Sequence, residues 1–209
     1  MSAHVNIVVD NISKDYNYKT IFQGLSTYFS GSETIALLGD NGSGKSTFLK
    51  IISGMTGATT GSVKWFVNEK EVPEYKWYEW LSFCSPQFFF DVRFSVLEIL
   101  QMYMEIKPFP EHMSADDLIE RMGFEQHADK KMNELSSGMY QRVRLILSIC
   151  TRVPVLFLDE PCSNLDTAGV NWYNQLIGEF ANEKLVFVAS NDPREYEFCT
   201  RSVQLMDYK

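Results

Sequence analysis

The sequence predicts an α/β fold built on a mainly parallel sheet with helices on both faces. Three observations carry this expectation. Beyond Ser136, helical and apolar strand-like stretches alternate: helix 139–151, strand 153–158, helix 167–182, strand 185–189, short helix 194–199 and strand 202–206. Within that series Val155-Leu156-Phe157-Leu158 is apolar at every position, the pattern of a strand buried on both faces. Upstream, a glycine-rich turn, Gly39-Asp40-Asn41-Gly42-Ser43-Gly44-Lys45-Ser46, joins an apolar run at 34–38 to a helix-like run ending at Ile52, which is a strand-loop-helix unit of such a sheet.

Taken in order, residues 5–9 and 18–29 read as strands, with a turn signal at Ser30-Gly31 and a buried strand at 34–38. Helix 45–52 ends near Gly54. Gly57 and Gly61 bracket a loop before an alternating strand at 62–67, and a short apolar run at 81–84 follows an aromatic-rich segment at 75–80. From Ser95 the period becomes helical. Residues 95–103 carry apolar side chains at helical spacing, and Ser114 with Asp117 three residues on is a capping-box start for a second helix that ends at Gly123. The insert ahead of Ser136 is therefore read as α-helical.

With 209 residues, the chain makes one large domain, or a domain carrying a small inserted subdomain. Apolar residues at 45% and aromatics at 14% are those of a folded protein with a real core. A net charge of −8 argues against a broad nucleic-acid-binding face, so no nucleic-acid partner is expected. Residues 1–10 lack the basic and apolar regions of a leader, and no run reaches the roughly 20 apolar residues of a membrane span; the expected location is cytoplasmic, or peripheral on the cytoplasmic side. Cys84, Cys150, Cys162 and Cys199 form no Cys-x-x-Cys pair, and His4, His112 and His127 give them no metal-ligand spacing. They are read as reduced thiols in the core.

The turn at 39–46 has two glycines five apart followed by Lys45 and a hydroxyl residue, in the context a phosphate-binding loop requires. Gly39, Gly42 and Gly44, with Asp40, Asn41 and Ser43 between them, let successive N–H groups converge on one anion. The helix that begins at Lys45 adds about half a positive charge at its N-terminus. Lys45 then reaches the outer phosphates as a point charge, Ser46 offers a hydroxyl to Mg²⁺, and Thr47 donates to another phosphate oxygen. The strand 153–158 ends in Asp159-Glu160, two carboxylates at the carboxyl end of a buried strand, where open α/β sheets bind ligands. Asp159 suits a hydrated Mg²⁺ and Glu160 suits a general base for an attacking water.

Together with Leu135-Ser136-Ser137-Gly138-Met139, these stretches resemble the ATP-binding cassette family, the nucleotide-binding domains of ABC transporters. The resemblance runs from about Val5 to Met206 with its parts in the family's order. It implies a P-loop NTPase core, an N-terminal antiparallel β-subdomain and a small α-helical subdomain. The core and β-subdomain are expected at about 1–87 and 139–209, the helical subdomain at about 88–138. Tyr16, 29 residues before Lys45, stands where the family stacks an aromatic ring on adenine. Gln87 matches the family's glutamine loop, which contacts Mg²⁺ and the attacking water, and Ser163-Asn164-Leu165-Asp166 looks like its dimer-contact loop. The family also implies that each ATP lies between the Lys45 loop of one copy and the Ser136 to Met139 signature of another. The signature has its own rationale, since Ser136 and Gly138 would precede the helix at 139 and face an anion with its positive end.

Two departures from the family pattern stand out. Ser137 and Met139 replace the usual glycine and glutamine of the signature, while the serine and second glycine remain. Asn191, in Val188-Ala189-Ser190-Asn191-Asp192, replaces a histidine that bonds the γ-phosphate. Two readings of Asn191 stand: an amide donor in a slowed ATPase, or a cap for the helix ahead of Pro193. Phe88, Phe89, Phe90 and Phe94 follow Gln87 and are either a docking surface for a membrane subunit or core; Tyr75, Trp77, Tyr78 and Trp80 are expected to pack as core or as a cover over the sheet.

The resemblance implies the ATP-hydrolysing subunit of a transporter, dimeric, most simply a homodimer, around two ATP and two Mg²⁺ and coupled to a separately encoded transmembrane permease. Two alternatives remain at this point: a soluble ABC ATPase that does not transport, and an ATP-gated dimerisation module with little hydrolysis.

Overall fold

The computed structural model describes residues 3–17 and 19–209. Two sheets share a core. Strands β1 (Val5–Tyr16) and β2 (Lys19–Ser30) form a long hairpin, and with β4 (Thr60–Val67) and β5 (Lys70–Val72) they make an antiparallel sheet ordered β2-β1-β4-β5. The first strand runs seven residues past the expected 5–9. Val5, Ile7 and Val9 point inward, a register shift follows between Val9 and Ile12 with Asn11 at φ 47, and Ile12 is again fully buried. The extra residue of a bulge resets the inward face, which breaks the alternation in the sequence without ending the strand. The expected start of the second strand, Tyr18, lies outside the described residues. Strand β5 was not expected; its three residues are joined to β4 through Asn68 and Glu69, both at positive φ, the backbone of a tight hairpin turn.

The second sheet is wholly parallel: β6 (Leu81–Cys84), β7 (Val155–Asp159), β8 (Leu185–Ala189), β3 (Thr34–Leu38) and β9 (Arg201–Gln204), in the order β6-β7-β8-β3-β9. Its alternate residues feed two cores. Val155, Phe157, Leu185 and Phe187 face the antiparallel sheet and helix α1 (Lys45–Ile52), while Leu156, Leu158, Val186 and Val188 face the helical side. Continuous apolar strands thus find cover on both faces. Phe157 and Phe187 stack at 5.0 Å, and Phe29 of β2 meets Phe187 edge-on at 4.8 Å, tying the sheets together.

Helices α2 (Val96–Ile106), α3 (Ala115–Met122), α4 (Ser137–Ile149) and α5 (Thr167–Phe180) cover the other face, and α6 (Pro193–Tyr196) is a single turn. Capping boxes Ser95–Glu98 and Ser114–Asp117 open α2 and α3, and Gly123 closes α3 in the left-handed region. Helix α4 starts two residues before the expected 139, because Ser136 caps it by accepting from Met139 N at 3.3 Å; Gly138 lies inside its first turn rather than ahead of it. Strand β7 begins after Pro154, α6 stops at Tyr196, and the last strand gives way at Leu205 to a 3₁₀ turn. The aromatic segment divides: in the 3₁₀ helix Glu74–Trp80, Trp77 is buried and stacks on Trp65 at 5.2 Å, whereas Tyr75 and Tyr78 are exposed. Cys84, Cys150 and Cys162 are buried and Cys199 partly so, all as free thiols. Among the described residues no helix is long and apolar enough to cross a membrane.

Candidate functional site

The carboxyl ends of β3, β7 and β8 deliver the polar groups of the site to one place. Strand β3 runs directly into the loop 39–44, which turns into α1. Two glycines there have no substitute. A Cβ on Gly44, at φ 106, would come within 2.6 Å of Ile21 Cγ2, and one on Gly39, at φ 145, within 2.7 Å of Ser43 Oγ. Lys45 folds back over the loop, its Nζ donating to Gly39 O at 2.6 Å, Asp40 O at 3.2 Å and Asn191 Oδ1 at 2.9 Å. Burial lowers the pKa of Lys45, opposed by the charges of Glu160, Asp159 and Asp40.

Ser46, one residue on, donates from Oγ to Asp159 Oδ1 at 2.7 Å, and Ser85 Oγ donates to the other carboxylate oxygen at 3.3 Å. Burial raises the pKa of Asp159 and Glu160 adds to that effect, while the Ser46 and Ser85 hydroxyls and Lys50 pull the other way. Glu160 is exposed, holds φ 48, and donates its N–H to Ala189 O at 2.9 Å. A non-glycine residue in that region costs of order 1–3 kcal/mol, and such costs cluster at functional positions.

Asn191 leaves the end of β8 between these groups. It accepts from Lys45 and donates through Nδ2 to Asn41 Oδ1 at 2.7 Å. The capping reading of this residue fails, since Asp192 is the cap of α6, accepting from Arg194 N at 3.0 Å. Gln87 follows β6, and its Oε1 accepts from Lys50 Nζ of α1 at 2.6 Å while its N–H donates to Ser85 Oγ at 3.3 Å. Thr47 stands in the first turn of α1.

Tyr16, at the end of β1, keeps an exposed ring with Lys14 Nζ 4.7 Å from its centroid. The hydrogen bond of Ser136 is local, and the signature meets the segment after Glu160 rather than the loop at 39–46. A Cβ on Gly138 would sit 2.9 Å from Asn164 O. Ser137 and Met139 occupy the same first turn of α4, and Asp166 caps α5 by accepting from Gly169 N at 2.8 Å. Phe89 is 79% exposed, with Phe88 and Phe94 partly so, while Phe90 packs on Tyr140.

The donor set suits a triphosphate and a hard cation. Among the described residues Ser43 Oγ, buried in the loop, has no partner, and Ser46 and Asp159 present a hydroxyl and a carboxylate oxygen side by side, the ligand chemistry that Mg²⁺ prefers. Ser85 and Lys50, which orient Asp159 and Gln87, carry no pattern of their own in the sequence; only the position of Lys50, four residues after Ser46 on α1, marks it as facing the same side.

Residues 22–163 match the family model described as ABC transporter. The probable ATP-binding protein YbiT of Escherichia coli O157:H7 is 26% identical over 97% of this chain, which spans 43% of that protein. The glutamate/aspartate import ATP-binding protein GltL of Escherichia coli (strain K12) is 28% identical over 87% of this chain and 78% of its own length. The dimeric structure of MJ0796, a bacterial ABC transporter cassette, superposes with a TM-score of 0.79 over 95% of this chain and 93% of that one at 22% identity, a likeness of fold. A parallel sheet carrying a phosphate loop, a helix capped by Ser136 and a family match over most of its length together make this chain an ATP-binding cassette of the ABC transporter family.

Proposed function

We propose that the chain binds and hydrolyses ATP as the motor subunit of a transporter, two copies closing around two nucleotides. The convergence of Lys45, Ser46, Asp159 and Asn191 on one point, with Glu160 beside it, carries this reading. Lys45 holds the β- and γ-phosphates, and the N–H groups of 39–44 cradle the chain of phosphates behind them. Ser46, Asp159 and Gln87 would hold Mg²⁺, which when bound neutralises phosphate charge and polarises the oxygens it touches. Glu160 takes the proton from the attacking water. Asn191 turns its amide donor to the γ-phosphate, a weaker counterpart of an imidazole because its reach is shorter and it carries no charge. Tyr16 supplies a face for adenine, and Ser136, Ser137, Gly138 and Met139 complete the site of the second copy, with Asp166 in the loop between them. The helical segment 88–138 acts as a subdomain, and Phe88, Phe89 and Phe94 offer the membrane subunit an apolar foothold. Such subunits work at the cytoplasmic face.

The experiment is ATP turnover by the purified chain, beside Glu160→Gln. A turnover that falls about 10²–10⁴-fold in the variant, with a dimer that appears only with ATP, supports the reading; equal rates overturn it. The exposed amide at Asn191 favours a second reading, an ATP-gated dimeriser, which predicts ATP-dependent dimers and no measurable turnover in either protein.

A further inference from the structure

The peptide group between Pro161 and Cys162, directly after Glu160, is gripped at both ends by buried side chains. Pro161 O accepts from Gln141 Nε2 at 2.6 Å, and Cys162 N donates to Glu195 Oε1 at 2.9 Å. Gln141 is fully buried and Glu195 nearly so. This grip matters because Glu160 holds φ 48, and a strained residue persists only when its surroundings over-determine it.

Gln141 does not act alone. Its Oε1 accepts from Arg144 NH1 at 3.0 Å, one turn along α4, so the amide is oriented by a cation on one side and a carbonyl on the other. Arg144 in turn donates from Nε to Phe88 O at 2.7 Å. Its guanidinium lies 4.4 Å from the Tyr140 ring centroid and 5.4 Å from that of Phe89, a cation over two aromatic rings. Tyr140 completes the attachment, its hydroxyl accepting from Phe90 N at 2.6 Å. Three segments distant in sequence, 87–90, the first turns of α4 and 160–162, are thus joined by a continuous set of hydrogen bonds, of which the two made by Arg144 are charge-assisted.

We propose that Arg144 and Gln141 are positioning residues for Glu160, holding its backbone in register with the loop that carries Gln87. Movement of the exposed Phe89 then reaches the carboxylate through Phe88 O, Arg144, Gln141 and Pro161 O. Lysine cannot replace the arginine, because a single ammonium lacks the rigid fork whose Nε and NH1 bond Phe88 O and Gln141 Oε1 separately. This role rests on the ATPase reading for its effect on turnover, though not for the physical linkage itself.

Amide hydrogen exchange on the full chain tests the linkage without nucleotide. In Arg144→Met the amides of 87–90 and of 162–163 are expected to exchange at least ~10-fold faster, with those of β8 unchanged as the control for global unfolding. Gln141→Leu is expected to free 162–163 and leave 87–90 protected, and Arg144→Lys to fall between wild type and Arg144→Met at both segments. Acceleration confined to 87–90 in Arg144→Met, or no acceleration, overturns the proposal. Turnover is the second readout: kcat falls about 10-fold in Arg144→Met and Gln141→Leu with KM for ATP unchanged, and the double variant is no slower than the slower single. Wild-type turnover matched by both variants overturns the positioning role; a wild type without turnover defeats the ATPase reading, and the exchange data still decide the linkage.

Discussion

Asn191 Oδ1 lies 2.9 Å from Lys45 Nζ, and its Nδ2 lies 2.7 Å from Asn41 Oδ1, so one amide spans the phosphate loop from the lysine to the turn. Removing the amide takes away the donor proposed for the γ-phosphate. Asn191→Ala is expected to lower kcat about 10²-fold. Asn191→His restores a longer donor that can carry charge, and turnover is expected to rise above wild type; steady-state phosphate release measures both, and a histidine variant no faster than wild type refutes a rate limit at this position.

Asp159 is a carboxylate kept in a buried place beside another acid, which raises its pKa. Function and stability therefore pull apart here. Asp159→Asn keeps the shape and drops the desolvated charge, so the nucleotide-free protein is expected to gain stability in urea unfolding, while Mg²⁺-dependent turnover falls at least ~10²-fold.

Lys184 stands behind the sheet, its Nζ donating to Ile149 O and Thr151 O, both at 2.6 Å, at the end of α4. Burial depresses its pKa to about 8. Because the folded value is the lower one, its contribution to stability is present in full above the unfolded value near 10.5 and is lost as pH falls through about 8. The thiols act in the opposite direction: burial pushes Cys84 and Cys150 up to about 12, so their contribution is present below the ordinary thiol value and is lost as pH rises above it. Wild type and Lys184→Met share the Cys84 thiol, and their difference reports the lysine together with its charge coupling to Cys150. Urea midpoints from pH 7.5 to 10.5 are expected to move in favour of wild type by about 2–3 kcal/mol.

Gly138 leaves no room for a side chain against Asn164 O, 2.9 Å from the ideal Cβ. Alanine suits a helix, so Gly138→Ala is expected to retain the fold and shift thermal unfolding by only a few degrees. The first turn of α4 and the segment 163–166 would be forced apart. ATP-dependent dimerisation, followed by light scattering with Glu160→Gln as background, is expected to weaken at least ~10-fold.

What the sequence reveals is what local chemistry decides. Apolar strands at 34–38 and 185–189, the helix after Lys45, and the Ser114 to Gly123 helix with both its caps are legible, because each is specified by neighbours within a few residues. The bulge at Val9–Ile12 hides seven residues of β1, since it shifts the inward face by one. In the site, the meeting of Lys45, Ser46, Asp159 and Asn191 follows from topology once the strands are known. The grip on Pro161–Cys162 does not, because Gln141 and Glu195 come from 20 residues upstream and 33 residues downstream of the atoms they hold, a geometry that no periodicity records. Asn191 and Asp192 are both residue types that cap helices, and only the folded backbone shows that Asp192 is the one that does.

The order β6-β7-β8-β3-β9 means that the strand bearing Lys45's loop and the strand bearing Asp159 never touch; β8 lies between them and hydrogen-bonds to both. The separation of cation and carboxylate is therefore measured in backbone rungs, two steps of about 4.8 Å, and not in side-chain volumes. A ruler made of peptide groups does not change length when Val186 or Val188 changes size. Core substitutions in β8 can cost stability while leaving that span intact, and the ruler ends at Asn191, the amide proposed as the γ-phosphate donor.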